Sequence, residues 1–395
     1  MKICMIVDDY MPHSIKVGAK MMHELACEFK VQGHEVSVIT PNIDRKKLLT
    51  IDSLDDIRIY RFKSGEIKNT SKVKRAINET QLSRNAWIAC KDFFENNHHD
   101  LIVYYSPTIF FGTLVGKLKE LWDVKSYLIL RDFFPQWTID NGILKENSII
   151  VKYFKYFEKI NYEVADTIGV MSPKNLEWFK NYYQKNKEIE VLYNWANLNP
   201  FKKKVNKYRK KLNLENKIIY FYGGNLGHAQ DMMNIIRLAK KMLVEPKAHF
   251  LLVGAGDEFK LIEKKILEDK LMNITLLPSV NQQEFKQILA ESDIGLFTLN
   301  KNHITHNFPG KLLGYMVQGI PILGSVNFGN DLKELIENTD SGLISINGKE
   351  DDLFFNNALK LMNNELRQIM GNNAFRLLES KFSIKSISNQ ILDKK

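Results

Sequence analysis

Apolar and polar positions follow two rhythms along this chain. Short, nearly continuous apolar runs alternate with longer stretches in which apolar residues recur every three or four positions. In the first half the runs Lys2–Val7, Glu35–Ile39, Ile57–Phe62, Leu101–Tyr105, Ser126–Leu130 and Thr167–Met171 predict strands. Ala19–Val31, Val73–Asn96, Gly112–Trp122 and Ile149–Val164 predict helices between them. Apolar runs separated by amphipathic helices imply a parallel sheet covered on both faces.

The second half begins the pattern again. Ile218–Tyr222, His249–Val253, Ile274–Leu277, Ile294–Thr298, Pro321–Leu323 and Leu343–Ile346 predict strands. Met232–Met242, Glu258–Lys270, Gln283–Ser292, Lys311–Val317 and Leu332–Asn338 predict helices, followed by Asp351–Met362, Glu365–Ser380 and a terminal segment, Ser383–Leu392. The polar, basic stretch Asn194–Lys211, with Pro200, reads as a linker. A chain of 395 residues is too long for one ordinary core and fits two domains of roughly 200 residues. The expected division is 1–195, 196–380, and a C-terminal helix in 381–395 packing back towards the first domain. Two doubly wound α/β domains place ligand sites at the C-terminal ends of their strands, here expected at a shared central cleft.

Composition narrows the class. Apolar residues make up 44% and charged residues 26%, as in globular proteins. The opening apolar run is short and ends at Asp8 and Asp9, so it does not read as a secretory leader. No run of 18 apolar residues occurs, so no membrane span is expected. Cys4, Cys27 and Cys90 are far apart and lack metal-ligand spacing, and read as small core hydrophobes in a reducing cytoplasm. The net charge is +10, with seven Lys/Arg in 63–91 and seven in 201–211. A solvated surface with a basic linker is one reading, and attraction to an anionic membrane or to phosphates is the other. No nucleic-acid-binding motif accompanies the charge.

Three segments carry chemistry. In Tyr222-Gly223-Gly224-Asn225-Leu226-Gly227-His228-Ala229-Gln230 a strand runs into a glycine-rich turn and then a helix, which permits close approach of a phosphate or serves merely as a tight turn. Val253-Gly254-Ala255-Gly256-Asp257 holds only the front of a dinucleotide fingerprint, so a turn packed near a nucleotide fits better than an NAD site. In Asn307-Phe308-Pro309-Gly310-Lys311-Leu312, Pro309 starts a helix and Gly310 leaves room for a ligand. Lys311 then stands in the first turn, where a cation opposes the helix dipole unless an anion binds there. Gly18-Ala19-Lys20 opens the first long helix beside the expected cleft. Arg131 and Asp132 end a buried strand, either facing the ligand crevice or pairing with each other. No Asp-X-Asp, Walker loop, Gly-X-Ser-X-Gly elbow or His-Glu-X-X-His occurs, which removes support for a metal-nucleotide site, phosphoryl transfer, acyl hydrolysis and zinc chemistry.

With Phe308-Pro309-Gly310-Lys311-Leu312-Leu313-Gly314-Tyr315-Met316 these motifs resemble the family 4 retaining glycosyltransferases of the GT-B fold. Ile6–Ser14, Tyr104–Pro107, Arg131–Trp137 and Ser172–Asn175 are similar to bacterial O-antigen or capsule L-fucosamine transferases, which use UDP-N-acetyl-L-fucosamine. The resemblance implies two Rossmann-like domains and a UDP-sugar as substrate, with no cofactor and no metal. It places the donor at Gly18, Gly224, Asn225, Gly227, Gln230, Gly254, Ser279, His306, Phe308, Gly310, Lys311 and Leu312, the acceptor side at Lys20, Tyr105 and Arg131, and catalysis at Asp132 and Lys311. The family's Arg and Lys after the glycine turn fall at Asn225 and Gln230, and its Glu-X7-Glu pair falls at His306 and Gly314. Lys311 and the amides of Gly227 and Gly310 would then carry the diphosphate. The implied acceptor is a polyprenyl-diphosphate-linked saccharide, met on the cytoplasmic face of the inner membrane. The basic aromatic stretches 152–157 and 178–183 read either as core or as membrane contacts. A UDP-sugar epimerase and a non-catalytic nucleotide-sugar-binding partner remain as alternatives on the same double fold.

Overall fold

A computed structural model describes residues 1–14, 16–42, 47–67, 70–140, 142–183, 187–202, 206–302 and 310–394. They form two compact units, Met1–Tyr193 with Ile384–Lys395, and Asn194–Ser383.

The first unit runs β1 (Lys2–Ile6), α1 (Val17–Val31), β2 (Glu35–Asn42), β3 (Leu49–Leu54), β4 (Ile57–Lys63), α2 (Lys72–Thr80), α3 (Leu82–Asn96), β5 (Leu101–Ser106), α4 (Gly112–Trp122), β6 (Lys125–Leu130), α5 (Gln136–Asp140), α6 (Ile149–Glu163), β7 (Thr167–Val170), α7 (Pro173–Tyr183) and β8 (Glu188–Val191). The sheet order is β3-β4-β2-β1-β5-β6-β7-β8. Only the edge pair β3–β4 is antiparallel. Ile3, Cys4, Met5 and Ile6 are fully buried, as expected of a central strand covered on both faces. The predicted helix 73–96 breaks at Gln81, which separates α2 from α3. The polar α2 takes its N-cap from Ser71, whose Oγ accepts from the Lys74 N–H.

The second unit runs α8 (Lys207–Lys211), β9 (Ile218–Asn225), α9 (Met232–Lys241), β10 (Ala248–Ala255), α10 (Phe259–Glu268), β11 (Ile274–Leu277), α11 (Gln282–Ala290), β12 (Ile294–Thr298), α12 (Lys311–Val317), β13 (Ile322–Val326), α13 (Leu332–Asn338), β14 (Gly342–Ile346), α14 (Asp351–Lys360) and α15 (Asn364–Leu377). Its sheet is parallel, in the order β11-β10-β9-β12-β13-β14.

Part of the basic stretch read as a linker is folded. Tyr208 and Arg209 are buried. The N–H groups of residues 207–209 donate to the Glu291 carboxylate, and Arg209 pairs with Asp293. A carboxylate on the unpaired amides of a helix start is favourable, and it ties α8 into the second unit.

The last helix, α16 (Ile384–Leu392), belongs to the first unit. Ile384, Ile387 and Ile391 form its buried stripe, and Gln32 Nε2 donates to Ser388 Oγ at 2.7 Å.

Candidate functional site

In the second unit the ends of β9 and β10 meet through glycines. Gly224 pairs with Gly254, and Asn225 with Ala255. A side chain on Gly254 would run into the Gly224 carbonyl, and one on Gly256 into the Leu226 carbonyl. Gly254 therefore lets the two strand ends approach closely. Gly224 has φ +130°, a conformation open to glycine. Tyr222 Oη donates to the Asn225 carbonyl at 2.6 Å and closes the turn.

Asn225 and Gln230, where the resemblance expects two cations, bond to each other. Asn225 Nδ2 donates to Gln230 Oε1 at 2.9 Å. A Cβ on Gly227 would lie 2.7 Å from Asp257 Oδ1 and 2.8 Å from Asn225 Nδ2, so glycine keeps this turn tight.

Lys311 reaches this same strand end. Its Nζ lies 3.7 Å from the Tyr222 ring centroid, and 3.9 Å from where a Gly224 Cβ would stand. Burial pushes its pKa down to about 7. Among the described residues no carboxylate forms an ion pair with it, and the ring face supplies a partial counter-charge. Such an ammonium is electrostatically incomplete and favours an arriving anion.

The remaining expected donor residues divide. Gly310 is exposed, has an ordinary φ of −57°, and nothing lies within 4 Å of its Cβ position. Among the described residues of the unit, no packing demands glycine there. The Leu312 side chain is fully buried in the core. Ser279 is exposed just after β11, at the edge where β9 and β10 also end. Gly314 lies within α12, and His306 and Phe308 lie outside the described residues.

In the first unit the register aligns Ile6 with Tyr104, and Tyr105 with Ile129, so Asp8, Tyr105 and Asp132 emerge at one sheet edge. The second residue of α1, Gly18, is there too. A Cβ on it would lie 3.1 Å from Tyr105 Oη. Burial pushes the Tyr105 phenol up to about 12. The Arg131 guanidinium donates to the carbonyls of Gly169 and Tyr193, at 3.4 and 3.1 Å. Burial lowers its pKa to about 10. Arg131 thus ties together the segments that carry Gly169 and Tyr193. Lys20 lies along α1 towards Glu24, 3.8 Å away, on an accessible face.

Asp132 is part-buried, and its pKa is raised to about 6. Burial raises it, while the Arg75 charge and the Phe133 N–H pull the other way. Arg75 of α2 is a cation that acts on Asp132. A carboxyl poised near neutrality at a strand end has the properties of a general base. Sequence reasoning missed Arg75 and Tyr222. The first is distant in the chain, and the signal for the second was an aromatic directly before Gly223-Gly224.

Residues 204–377 match the family model described as "Glycosyl transferases group 1". That match falls within the second unit. The chain is 24% identical over 221 residues to "Probable glycosyltransferase WbjE" of Pseudomonas aeruginosa, 55% of each chain. It therefore spans a little over half of that relative's length. It is 22% identical over 340 residues to WcaI of Escherichia coli (strain K12), named as a colanic acid biosynthesis glycosyl transferase, 81% of this chain and 82% of that one. The structure of Anabaena Alr3699/HepE in complex with UDP matches with a TM-score of 0.68 at 14% identity, over 100% of this chain and 99% of that one. The fold is GT-B: α/β, with two Rossmann-like parallel-sheet domains.

Proposed function

We propose that the protein transfers a sugar from a UDP-sugar to a saccharide acceptor. The observation that carries this reading is the Lys311 ammonium, held over Tyr222 at the end of β9 with no carboxylate partner among the described residues. A donor diphosphate supplies the missing negative charge. As the C1–O bond breaks, charge grows on the leaving phosphate, and Lys311 with nearby amides stabilises it without a metal ion. In the first unit Asp132 orients the acceptor hydroxyl or takes its proton. Retention of configuration is the outcome that the resemblance implies. The UDP in the HepE complex supports the nucleotide, and the name of WcaI supports a role in polysaccharide assembly.

The finer reading is N-acetyl-L-fucosamine as the sugar and a polyprenyl-diphosphate-linked saccharide as acceptor, on the cytoplasmic side of the inner membrane. Two features support membrane contact. Val73 and Ile77 of α2 and Ile149, Ile150 and Tyr156 of α6 are exposed, and Lys74, Arg75 and Lys152 lie on the same helices. Thr80 Oγ1 and Tyr153 Oη, 2.6 Å apart, join these helices. Of the other aromatics in these stretches, Phe154 packs on Phe110 and Phe179 is fully buried, whereas Tyr153 and Trp178 are exposed. Among the described residues no helix is long and apolar enough to cross a membrane, so contact on this reading is peripheral.

Purified protein incubated with labelled UDP-sugars tests the proposal. Transfer needs an acceptor, whereas epimerisation does not. A scaffold binds the donor and leaves it intact.

A further inference from the structure

His23 and Cys27 stand four residues apart on one face of α1, and Asp55 reaches them from the turn between β3 and β4. Cys27 Sγ lies 3.6 Å from His23 Nε2, and Asp55 Oδ2 lies 2.9 Å from the same nitrogen. All three ligand atoms are within 4.8 Å of one another.

We propose that His23, Cys27 and Asp55 bind a zinc-like divalent ion that staples α1 to the β3–β4 turn. Two of the three donor separations test the geometry. With a Zn–S bond of about 2.3 Å and a Zn–N bond of about 2.05 Å, a tetrahedral angle separates sulfur and nitrogen by about 3.6 Å. That is the separation already present. The same calculation sets nitrogen and oxygen about 3.3 Å apart. Asp55 must therefore move to lengthen its separation from Nε2 by about 0.4 Å and to bring its carboxylate to the ion beside Cys27 Sγ, and its side chain is 69% exposed and able to do so. Lys30 bonds the Asp56 carboxylate and the Asp55 carbonyl, which leaves the Asp55 carboxylate to the cluster.

The far side of the imidazole is also arranged. Buried Tyr10 Oη lies 2.9 Å from His23 Nδ1. Such a partner fixes ring orientation and tautomer in metal sites. On binding, the ring proton resides on Nδ1 and is donated to Tyr10 Oη, leaving the Nε2 lone pair for the metal. The Cys27 thiol proton passes to solvent as the thiolate–metal bond forms. Water fills the fourth position on the accessible side. The other two cysteines, Cys4 and Cys90, are buried away from such partners, whereas Cys27 is half-buried. Sequence spacing pointed away from metal binding because the third ligand lies on a different element.

The full-length protein, stripped with chelator and dialysed, is titrated with zinc(II) and, separately, cobalt(II). The expected result is one equivalent of either ion, and for cobalt a thiolate-to-metal charge-transfer band. Cys27→Ser should abolish the band, and Tyr10→Phe should weaken zinc binding by about tenfold. Zinc should raise the melting temperature of the wild type but not of Cys27→Ser. Cys27 is only half-buried, so its serine variant retains the fold, which circular dichroism checks. Absence of binding to the wild type overturns the proposal, as does a band that survives in Cys27→Ser.

Discussion

The Lys311 ammonium lies 3.7 Å from the centre of the Tyr222 ring, at the end of the strand that carries Gly223 and Gly224. Burial holds its pKa at about 7, below the ordinary lysine value of 10.5. A bound diphosphate raises that pKa again, because an adjacent anion favours the charged form. Donor binding should therefore take up a proton above pH 7, and UDP-sugar affinity should fall as pH rises beyond about 7. Calorimetry in buffers of different ionisation enthalpy reads this directly. Lys311→Met should flatten the profile and weaken binding at least about tenfold, since a charge-assisted contact contributes roughly 1.5–3 kcal/mol. Unchanged affinity in the variant would remove Lys311 from the site.

Asp132 makes a prediction of opposite sign for stability and turnover. Its folded-state pKa of about 6 stands above the ordinary value of 3.8, so between these pH values the folded state holds more protons than the unfolded one. Stability contributed by the protonated form is present below the ordinary value and is lost as pH rises through about 6. Asp132→Asn should thus melt no lower than wild type at pH 8, while turnover falls far more than donor affinity. Wild-type turnover should climb as pH rises through about 6. An Asp132→Asn protein that is destabilised at pH 8 but fully active would show a structural carboxylate instead.

Two glycines should respond oppositely to alanine. Gly254→Ala forces a methyl group against the Gly224 carbonyl and should cost about 1–3 kcal/mol or more in stability. Gly310→Ala meets nothing within 4 Å and should leave the melting temperature unchanged. If the donor passes close to Gly310, that variant will lose UDP-sugar affinity while keeping its stability. Thermal melts and donor titrations on both proteins separate packing from ligand contact.

Membrane contact through α2 and α6 should appear in sedimentation with vesicles. Binding should be stronger to anionic than to neutral vesicles and should weaken with salt. Ile149→Glu with Tyr156→Glu should abolish it without loss of fold, since both side chains are exposed. Equal binding to neutral and anionic vesicles would contradict a basic contribution.

Transfer should persist in strong chelator, because Lys311 and backbone amides carry the leaving-group charge. The ion proposed at His23, Cys27 and Asp55 is structural, so chelation should lower the melting temperature yet spare turnover below it. A strict requirement for added magnesium or manganese would contradict this account of the diphosphate.

The parallel sheets were legible because their central strands are continuous apolar runs, such as Ile3–Ile6 and Phe250–Val253. The edge strand β3 was not, since its residues are only partly buried and Asp52 interrupts it. Likewise, Arg209 looked like linker charge until its bonds to Asp293 and the Glu291 carbonyl were visible. Lys311 stood out because a cation in a first helical turn conflicts with local electrostatics. The packing partners of Arg131 and Gly254 were hidden, because they come from segments distant in the chain. Local chemistry is readable from spacing, whereas partners distant in the chain are not.

The most direct test of the account is a single reaction series with purified protein, radiolabelled UDP-sugars including UDP-N-acetyl-L-fucosamine, and polyprenyl-diphosphate-linked saccharides. The account predicts label appearing in the acceptor with release of UDP, no transfer when the acceptor is omitted, and at least about tenfold less transfer by Lys311→Ala. Conversion of the donor to an epimer without acceptor, or tight donor binding with no product across the full panel, would contradict it.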